Sequence, residues 1–537
     1  MLDTFTSTVI QAGLDAAAQE MFEVLRKTAM SPIIYEVLDV GTGVTDADGR
    51  LVSSGAGIPS FVGVLDKSVT AIRARYGDAI AEGDVFVTND PNHGGVTHLC
   101  DVVLAEPVFH HGVCVAWVAS IAHWSDIGGK VPGSMPVDVT DICAEGLRLP
   151  MVRLFERGEK NAAVFDIIAC NSRQPDVVAG DLWAQVSAGR RAATLIRGMC
   201  ARYGSAAIHE AVAEALDVGT ARARAGLATL PEGRWEIEEP QDTGPPWRAA
   251  IEVGGGKFTV DLRAVPDAAA GPHNTSRDGA VIACQMLFKA VTDPERYANS
   301  GSFEPLQVLT RPDSVFDPGP TAPHGYYFET RMRLFDMLWH CLAGAMPERM
   351  PAGHFASVFG TVIAGRHPDT GRRYTMVEPQ MGGWGATASR DGLDAMYSTS
   401  HGDTFNCPVE IAEARYGLWV EEKGLTERPD VDGAHAGGRG VRTHYRLRGP
   451  AMLSAGLSHT RVPVWSIGSD VLGGRNRLAV RHRAEPFEAH AQVSGLVLAA
   501  GDDVLIESAH GGAYGGKPRA ATHSLPDTKP TETDRKV

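Results

Sequence analysis

The sequence predicts a large α+β protein built from several domains, with helices and strands mixed along the chain. At 537 residues the chain is too long for one ordinary hydrophobic core. Helical periodicity and strand-like alternation are interspersed up to about residue 230, and alternation dominates after Pro231. We therefore expect a mixed helix/strand domain over 1–230, a middle mixed domain over 231–440 and a β-rich domain over 441–516, followed by a disordered tail over 517–537.

The N-terminal elements are expected to be a helix, a hairpin and a second helix. Residues 3–29 carry apolar side chains near helical spacing. The stretch YEVLDVGTGVTDADGRLVSSG predicts a β-hairpin whose tight turn is Asp48-Gly49. A helix over 60–76 follows, with Ser60 as its expected N-cap.

The later elements follow the change of period at Pro231. Residues 161–230 read as helices, and the segments after Pro231 alternate like antiparallel strands. Helices return at 278–291 and 331–346. The stretch 441–510 is rich in strand patterns separated by glycine-dense turns, which predicts a strand-rich C-terminal half.

Two histidines at the ends of β patterns are each followed by an aspartate three residues later. The pairs are His98 with Asp101 and His123 with Asp126, and both members are offset by 25 residues. Two adjacent strands would bring such pairs side by side. Asp39 lies in the first strand of the predicted hairpin, within an apolar run where a carboxylate is costly unless something pairs with it.

These five residues predict a divalent-metal site in the N-terminal domain. Imidazole and carboxylate ligands suit Mn, Zn or Fe rather than a thiolate-bound ion. We assign Asp39, His98, Asp101 and His123 to the metal. Asp126 is then either a fifth ligand or a catalytic base that orients a metal-bound water, and spacing alone does not separate the two roles. The bland alternative is that each His-x-x-Asp is a hydrogen-bonded pair.

Composition and missing motifs exclude several classes of function. The net charge of −15 argues against nucleic acid or an anionic membrane as the main partner. No basic-then-apolar signal or long apolar span occurs, and the eight scattered cysteines suit reduced thiols, so we expect a cytoplasmic protein. No phosphate-binding loop is present, and GGGK at 254–257 reads as a turn. Glu145 and Arg148 could line a pocket or form a plain salt bridge.

Several long motifs carry a resemblance to a known family. GDVFVTNDPNHGGVTHLCDV, AHWSDIGGKVPGSMP and EGLRLP are followed in order by NSGSFEPLQV, GGWGATASRDGLDAM, CPVEIAEARYGL, GGRGVRTHYRL and GGAYGG. Together they resemble the hydantoinase B/oxoprolinase family over nearly the whole chain, from about Asp3 to Gly516.

The resemblance implies a heteromeric, ATP-dependent enzyme. Such proteins act with a hydantoinase A-type partner of the actin-like ATPase class, which uses ATP and Mg to phosphorylate the carbonyl oxygen of the substrate. The B-type chain then uses a metal ion for the second step. By motif, the family's metal ligands fall on Asp39, His98, Asp101 and His123, with Asp126 beside them. One departure is Tyr35, which stands before Glu36 where many relatives carry a basic residue.

Three functions follow as expectations. The first is the metal-dependent subunit of an ATP-dependent cyclic-amide hydrolase, acting on a hydantoin, lactam or 5-oxoproline. The second is a subunit of a ketone carboxylase of the acetone or acetophenone type. The third is a non-catalytic scaffold for the ATPase partner.

Overall fold

The two His-x-x-Asp segments belong to a seven-stranded antiparallel sheet with the order β2-β1-β5-β4-β3-β6-β7. The computed structural model describes residues 2–94, 97–294, 298–402, 404–427 and 434–515. The strands of this first sheet are β1 Val40–Asp46, β2 Leu51–Gly57, β3 Val85–Thr88, β4 Asp101–His110, β5 Val113–His123, β6 Val152–Glu156 and β7 Glu159–Lys160.

Helices cover both faces of this sheet. Successive side chains of a strand point to opposite faces, and β4 sends Val102 and Leu104 into one core but Val103 and Ala105 into another. The first core contains α1 and α5, and the second contains α3. The helices of this part are α1 Thr4–Thr28, α2 Pro32–Tyr35, α3 Pro59–Tyr76, α4 Ala162–Asn171, α5 Pro175–Tyr203 and α6 Ser205–Leu227.

Two local expectations for this region were wrong. Residues 35–39 were expected to begin the hairpin, but a short helix ends at Tyr35 and the chain turns at Leu38, whose φ is 64°. Ser60 was expected to cap α3, but the cap is Ile58, and the Ser60 hydroxyl donates to the carbonyl oxygen of Ser400. The buried Ser60 hydroxyl is thus paired with a carbonyl that is distant in sequence, and local sequence patterns do not reveal such a contact.

A second, four-stranded sheet follows α6, with the order β11-β10-β9-β8. Two helices pack with it around a separate core that contains Phe258, Phe288 and Leu338. The GGGK turn connects β9 and β10, as expected. The elements are β8 Gly233–Glu239, β9 Trp247–Gly254, β10 Lys257–Asp261, β11 Leu306–Leu309, α7 Arg277–Thr292 and α8 Tyr327–Ala345.

The C-terminal half forms two more sheets, which confirms the expected mixed, strand-rich architecture. Their orders are β13-β12-β16-β19 and β14-β15-β20-β17-β18. The elements are β12 Gly360–Arg366, β13 Arg373–Glu378, α9 Val409–Arg415, β14 Leu418–Leu425, β15 Val441–Leu447, β16 Ala451–Gly456, β17 Arg477–Arg481, β18 Glu488–His490, β19 Gln492–Leu498 and β20 Asp503–Glu507.

The proposed domain boundaries relate differently to these sheets. A boundary near 230 falls between α6 and β8, where the first sheet region ends and the second begins. Strands on both sides of 440 pair with each other, since β12 lies beside β16 and β14 lies beside β15. The boundaries themselves stay predictions, and the expected tail over 517–537 lies outside the described residues. Within the described ranges, no helix is long and apolar enough to cross a bilayer.

Candidate metal centre

The β4–β5 pairing brings three of the predicted ligands together. The first residue of β4 and the last of β5, Asp101 and His123, are direct cross-strand partners. His98 lies just before β4, and its Nε2 is 3.2 Å from Asp101 Oδ1. The ring centres of His98 and His123 are 5.3 Å apart. Two adjacent strands thus bring His98, Asp101 and His123 together, but the pairing is antiparallel and sets Asp101 against His123, so the equal spacing does not place the two His-x-x-Asp pairs side by side.

Asp39 reaches the same point from the neighbouring strand. β1 pairs with β5 in a register that sets Val40 against Ala122, so Asp39 lies opposite His123. The backbone N–H of His123 donates to the carbonyl oxygen of Asp39 at 3.1 Å. The Asp39 side chain is 6% exposed. The adjoining ends of β1, β4 and β5 thus bring Asp101 and His123 together with Asp39, which immediately precedes β1, at one end of the sheet.

A small cavity of about 30 Å³ lies at this end of the sheet. That volume holds a water molecule or an ion but not a whole substrate ring, since ligand pockets usually measure several hundred Å³. Much of the remaining wall is apolar, with Phe61, Met135 and Phe328 among its side chains. The polar lining side chains are Asp39, His98, Asp101, His123, Tyr327 and His401.

Two buried polar atoms at this cavity have no hydrogen-bond partner within the described residues, Asp39 Oδ1 and His123 Nδ1, while Asp101 Oδ1 has only the contact with His98 Nε2 at 3.2 Å. Leaving such atoms unpaired in a protein interior is costly. Oxygen and imidazole nitrogen are the ligand atoms that Mn, Zn and Fe accept, so the donor set around the cavity suits a divalent cation. The residues present therefore fit the expected ion.

The electrostatics of the cluster point the same way. Burial, and then the charge of Asp101, raise the pKa of Asp39 well above its usual value. Burial lowers the pKa of His123 to about 4. For His98 the effect of burial is outweighed by Asp101, so its pKa is raised. Two buried carboxylates that repel each other beside a neutral imidazole form a site that a cation stabilises.

A second layer of contacts orients His98. Its Nδ1 lies 3.0 Å from the carbonyl oxygen of Gly325. Because a carbonyl only accepts, Nδ1 carries the proton in the neutral ring and Nε2 is left as the free ligand atom. Glu145 holds the same loop, since its carboxylate accepts from the N–H groups of Gly325 at 2.6 Å and His324 at 3.1 Å. Burial raises the pKa of Glu145 to about 7.

This arrangement resolves the question that the sequence left open for Glu145 and Arg148. Glu145 is absent from the described lining of the cavity and braces the loop that positions His98. Arg148 forms a salt bridge with Asp90, with Nη2 2.9 Å from the carboxylate. Of the two roles considered from the sequence, Arg148 therefore has that of a salt-bridge partner.

Sequence reasoning missed the groups that hold Asp101. The Tyr327 hydroxyl donates to Asp101 Oδ2 at 3.0 Å, and the Thr97 hydroxyl donates to the same oxygen. Both bind Oδ2, while Oδ1 lies 3.2 Å from His98 Nε2. Tyr327 begins α8, more than two hundred residues after β4 in the sequence, so no local motif signals the contact.

His401 is a further cavity residue that the sequence did not single out. Its ring is buried and its Nε2 has no hydrogen-bond partner among the described residues. Burial lowers its pKa to about 3, so the imidazole is neutral. It lies in an irregular loop, where periodicity carries no signal.

Cys100 offers a different ligand set from the predicted one. His98, Cys100 and His123 each place one ligand atom within 4.8 Å of the others. The Cys100 thiol, however, is directed at the carbonyl oxygens of Gly133 and Ser134, at 3.7 and 3.8 Å. Burial, and then the nearby Asp101, raise the pKa of Cys100 well above its usual value. Since the thiolate is the ligating form, this environment disfavours Cys100 as a ligand.

Asp126 occupies a different environment from the four predicted ligands. Its carboxylate accepts hydrogen bonds from the backbone N–H groups of Gly128, Gly133 and Arg173. It also pairs with the Arg173 guanidinium at 3.1 Å. Within the described part of the chain it is not among the residues that line the cavity. Its predicted role as ligand or base stays a prediction, and its contacts show that it fixes the loop after β5.

The sequence and the fold of the chain are both similar to those of known proteins. The Hydantoinase B/oxoprolinase family model matches residues 3–517. The B-type chain of a putative D-/L-hydantoinase from Pseudomonas sp. (strain NS671) is 26% identical, over 96% of this chain and 90% of that protein. The crystal structure of an ATP-dependent caprolactamase from Pseudomonas jessenii superposes with a TM-score of 0.89 at 26% identity, covering 96% of this chain and 92% of that chain.

A more distant structure shares the fold alone. The nucleotide-free structure of an acetone carboxylase superposes with a TM-score of 0.85 at 15% identity, covering 96% of this chain and 77% of that chain. Likeness at this identity supports the architecture and carries no information about the reaction.

Proposed function

Because the chain belongs to the hydantoinase B/oxoprolinase family, we propose that it is the metal-bearing subunit of an ATP-dependent cyclic-amide hydrolase. The substrate class is a hydantoin, a lactam or 5-oxoproline. The single observation that supports the proposal is that the buried side chains of Asp39, His98, Asp101 and His123 line one cavity, where Asp39 Oδ1 and His123 Nδ1 have no hydrogen-bond partner among the described residues. A scaffold would have no need of such a cluster, since unpaired buried polar groups destabilise the fold.

The proposed ligands of the divalent ion are Asp39, His98, Asp101 and His123. An ion of the Mn, Zn or Fe class bound there supplies Lewis-acid activation of a water or a carbonyl oxygen. The chain prepares the ligands in advance: Gly325 fixes the tautomer of His98, and the β-register fixes Asp101 against His123. Such preorganisation by outer contacts is what sustains metal affinity.

Proton transfer requires an acceptor that faces the cavity. His401 meets this requirement, since its unpaired Nε2 belongs to a buried, lining side chain. Asp126 stays the base predicted from the sequence, although its two oxygens already accept from Gly128, Gly133 and Arg173. Separate substitutions of His401 and Asp126 distinguish the two assignments.

Activation of the amide is assigned to a partner protein. An amide carbonyl is resonance-stabilised, so attack by water is slow unless the oxygen is first converted into part of a better electrophile. The proposed partner is a hydantoinase A-type ATPase that phosphorylates this oxygen with ATP and Mg. Two observations support it: the name of the similar hydantoinase chain marks it as one of several subunits, and the sequence contains no phosphate-binding loop.

The test is reconstitution of this chain with its A-type partner, ATP and a panel of lactams, hydantoins and 5-oxoproline. His98→Ala and His123→Ala should lose both bound metal, measured by mass spectrometry, and turnover. His110→Ala, at the far end of β4, is the matched control and should keep both. Metal content and turnover that survive in both site variants would refute the proposal. Incorporation of labelled bicarbonate into a ketone substrate would instead identify the carboxylase alternative.

A further inference from the structure

Two buried arginines on α8 have opposite environments. Arg333 is 5% exposed, and its Nη1 donates to Asp336 at 3.0 Å while its Nη2 lies 3.6 Å from Glu239. Arg331 is 1% exposed, yet its Nε and Nη1 have no hydrogen-bond partner among the described residues. A guanidinium does not lose its proton in a protein. Arg331 therefore holds a buried positive charge with donors to spare.

This unpaired charge lies against Tyr327, a residue of the cavity wall, although Arg331 itself is not among the described lining residues. The Cζ atom of Arg331 is 4.8 Å from the ring centroid of Tyr327, the residue whose hydroxyl binds Asp101. Its charge also acts on Asp39 and His401, which line the cavity. No carboxylate forms an ion pair with it anywhere in the described ranges. Among the described residues, the Arg331 guanidinium therefore forms no ion pair with the proposed metal ligands.

The charges of the centre leave room for an anion. With a divalent ion in place, the two carboxylates Asp39 and Asp101 cancel its charge, and His98 and His123 are neutral as ligands. The guanidinium of Arg331 then adds a positive charge that no ion pair among the described residues compensates. A buried cation of this kind is strongly destabilising unless a group of opposite charge binds beside it.

We propose that Arg331 binds an oxyanion presented to the metal centre, through N–H donors of its guanidinium, of which Nε and Nη1 have no hydrogen-bond partner among the described residues. Guanidinium groups match phosphate and carboxylate oxygens in geometry and hold them by charge-assisted hydrogen bonds. This inference rests on the proposed function and deepens it. The oxyanion is either a phosphoryl group carried by the activated substrate or a carboxylate-type group, including bicarbonate. The small cavity admits the oxygen end of such a group rather than a ring.

The experiment measures binding of inorganic phosphate, acetate and bicarbonate to the purified full-length protein, with and without bound Mn²⁺, by calorimetry. Wild type is compared with Arg331→Met, Arg331→Lys and Arg333→Lys. We expect the Mn²⁺-loaded wild type to bind at least one of these anions, and Arg331→Met to weaken that binding at least tenfold. Arg331→Lys keeps the charge but not the fork, so it should fall between them. Arg333→Lys should bind the anion like wild type.

The outcomes separate this inference from the proposed function. Preference for phosphate identifies the phosphoryl source, and preference for acetate or bicarbonate identifies the carboxylate source. A wild type that binds Mn²⁺ but none of the anions overturns the inference and leaves the metal assignment intact. Equal anion affinity in wild type and Arg331→Lys, with Arg331→Met either equal or unfolded, also overturns it. A protein that binds no metal but loses phosphate binding on Arg331→Met refutes the proposed function and keeps the oxyanion site.

Discussion

Replacing Glu145 with glutamine tests whether the loop at Gly325 controls the metal centre. Both carboxylate oxygens of Glu145 accept backbone N–H groups, at 2.6 Å from Gly325 and 3.1 Å from His324. Glutamine has the same shape, but one of its two positions becomes an NH₂ donor that faces one of these N–H groups. One buried N–H then loses its acceptor, which costs about 1–3 kcal/mol of unfolding free energy.

The same change should weaken metal binding because Gly325 also holds His98. Its carbonyl oxygen accepts from His98 Nδ1 at 3.0 Å, so a displaced loop releases the tautomer and orientation of that ligand. Loss of an outer contact of this kind typically lowers metal affinity about 10- to 100-fold, or roughly 1.4–2.7 kcal/mol. We expect a loss in this range for Mn²⁺ or Zn²⁺ in Glu145→Gln.

The assay is competition for the metal with a chelating dye at pH 8, where Glu145 is ionised, together with urea unfolding of the metal-free protein. Glu106→Gln is the matched control, because Glu106 is also a buried glutamate, on β4, and burial raises its pKa to about 7 as well. It should bind metal with wild-type affinity. Unchanged affinity in Glu145→Gln, with the fold intact, would refute the role given to the Gly325 loop.

Three further predictions follow from individual contacts. Burial raises the pKa of Glu106 in the folded state to about 7, against an ordinary value of 4.5, so the folded state binds this proton more tightly than the unfolded state. The contribution of Glu106 to the unfolding free energy should therefore fall by up to about 3 kcal/mol as pH rises from 4.5 to 7. Glu106→Gln should remove this contribution. His401→Gln should lower kcat of the reconstituted complex by about 100-fold or more while the melting temperature stays unchanged. Asp126→Asn should mainly lower stability. A large loss of kcat in an Asp126→Asn variant of wild-type stability would instead identify Asp126 as the base. Arg333→Met should cost about 1–3 kcal/mol in urea unfolding because buried Asp336 loses its guanidinium partner while keeping the contacts with His354, His459 and Trp465, and a wild-type midpoint would contradict this.

The parts of the fold that local patterns control were predictable. The helix expected over 3–29 is α1, because its buried positions recur at helical spacing and Asp3 caps it by accepting from Thr6. The helix expected over 331–346 is α8, which begins four residues earlier, at Tyr327. The pairing of strands across residue 440 is not readable in the same way, since it joins segments about ninety residues apart, such as β12 and β16.

The same distinction between local patterns and contacts across long sequence separations applies to the site. The ligand types and their spacing are local, so His98, Asp101 and His123 could be grouped from the sequence, and the β4–β5 register explains why the grouping holds. The groups that prepare them are distant: Gly325 and Tyr327 lie more than two hundred residues from the atoms they contact. Periodicity reports which face of an element is buried, not which remote segment covers it.

The proposed metal centre is therefore built from the whole chain rather than from the first sheet alone. The N-terminal sheet supplies the ligands, but α8 supplies Tyr327 and Phe328, and segments after β12 supply Val377 and His401 to the cavity wall. One hydrophobic core runs through both regions, since it includes Leu104 on β4 and Leu453 on β16. Because the cavity closes only when these parts have docked, ion binding and docking of the C-terminal half should stabilise each other. An ion that binds the native arrangement alone thus favours the same assembled state in which Arg331 is buried beside it.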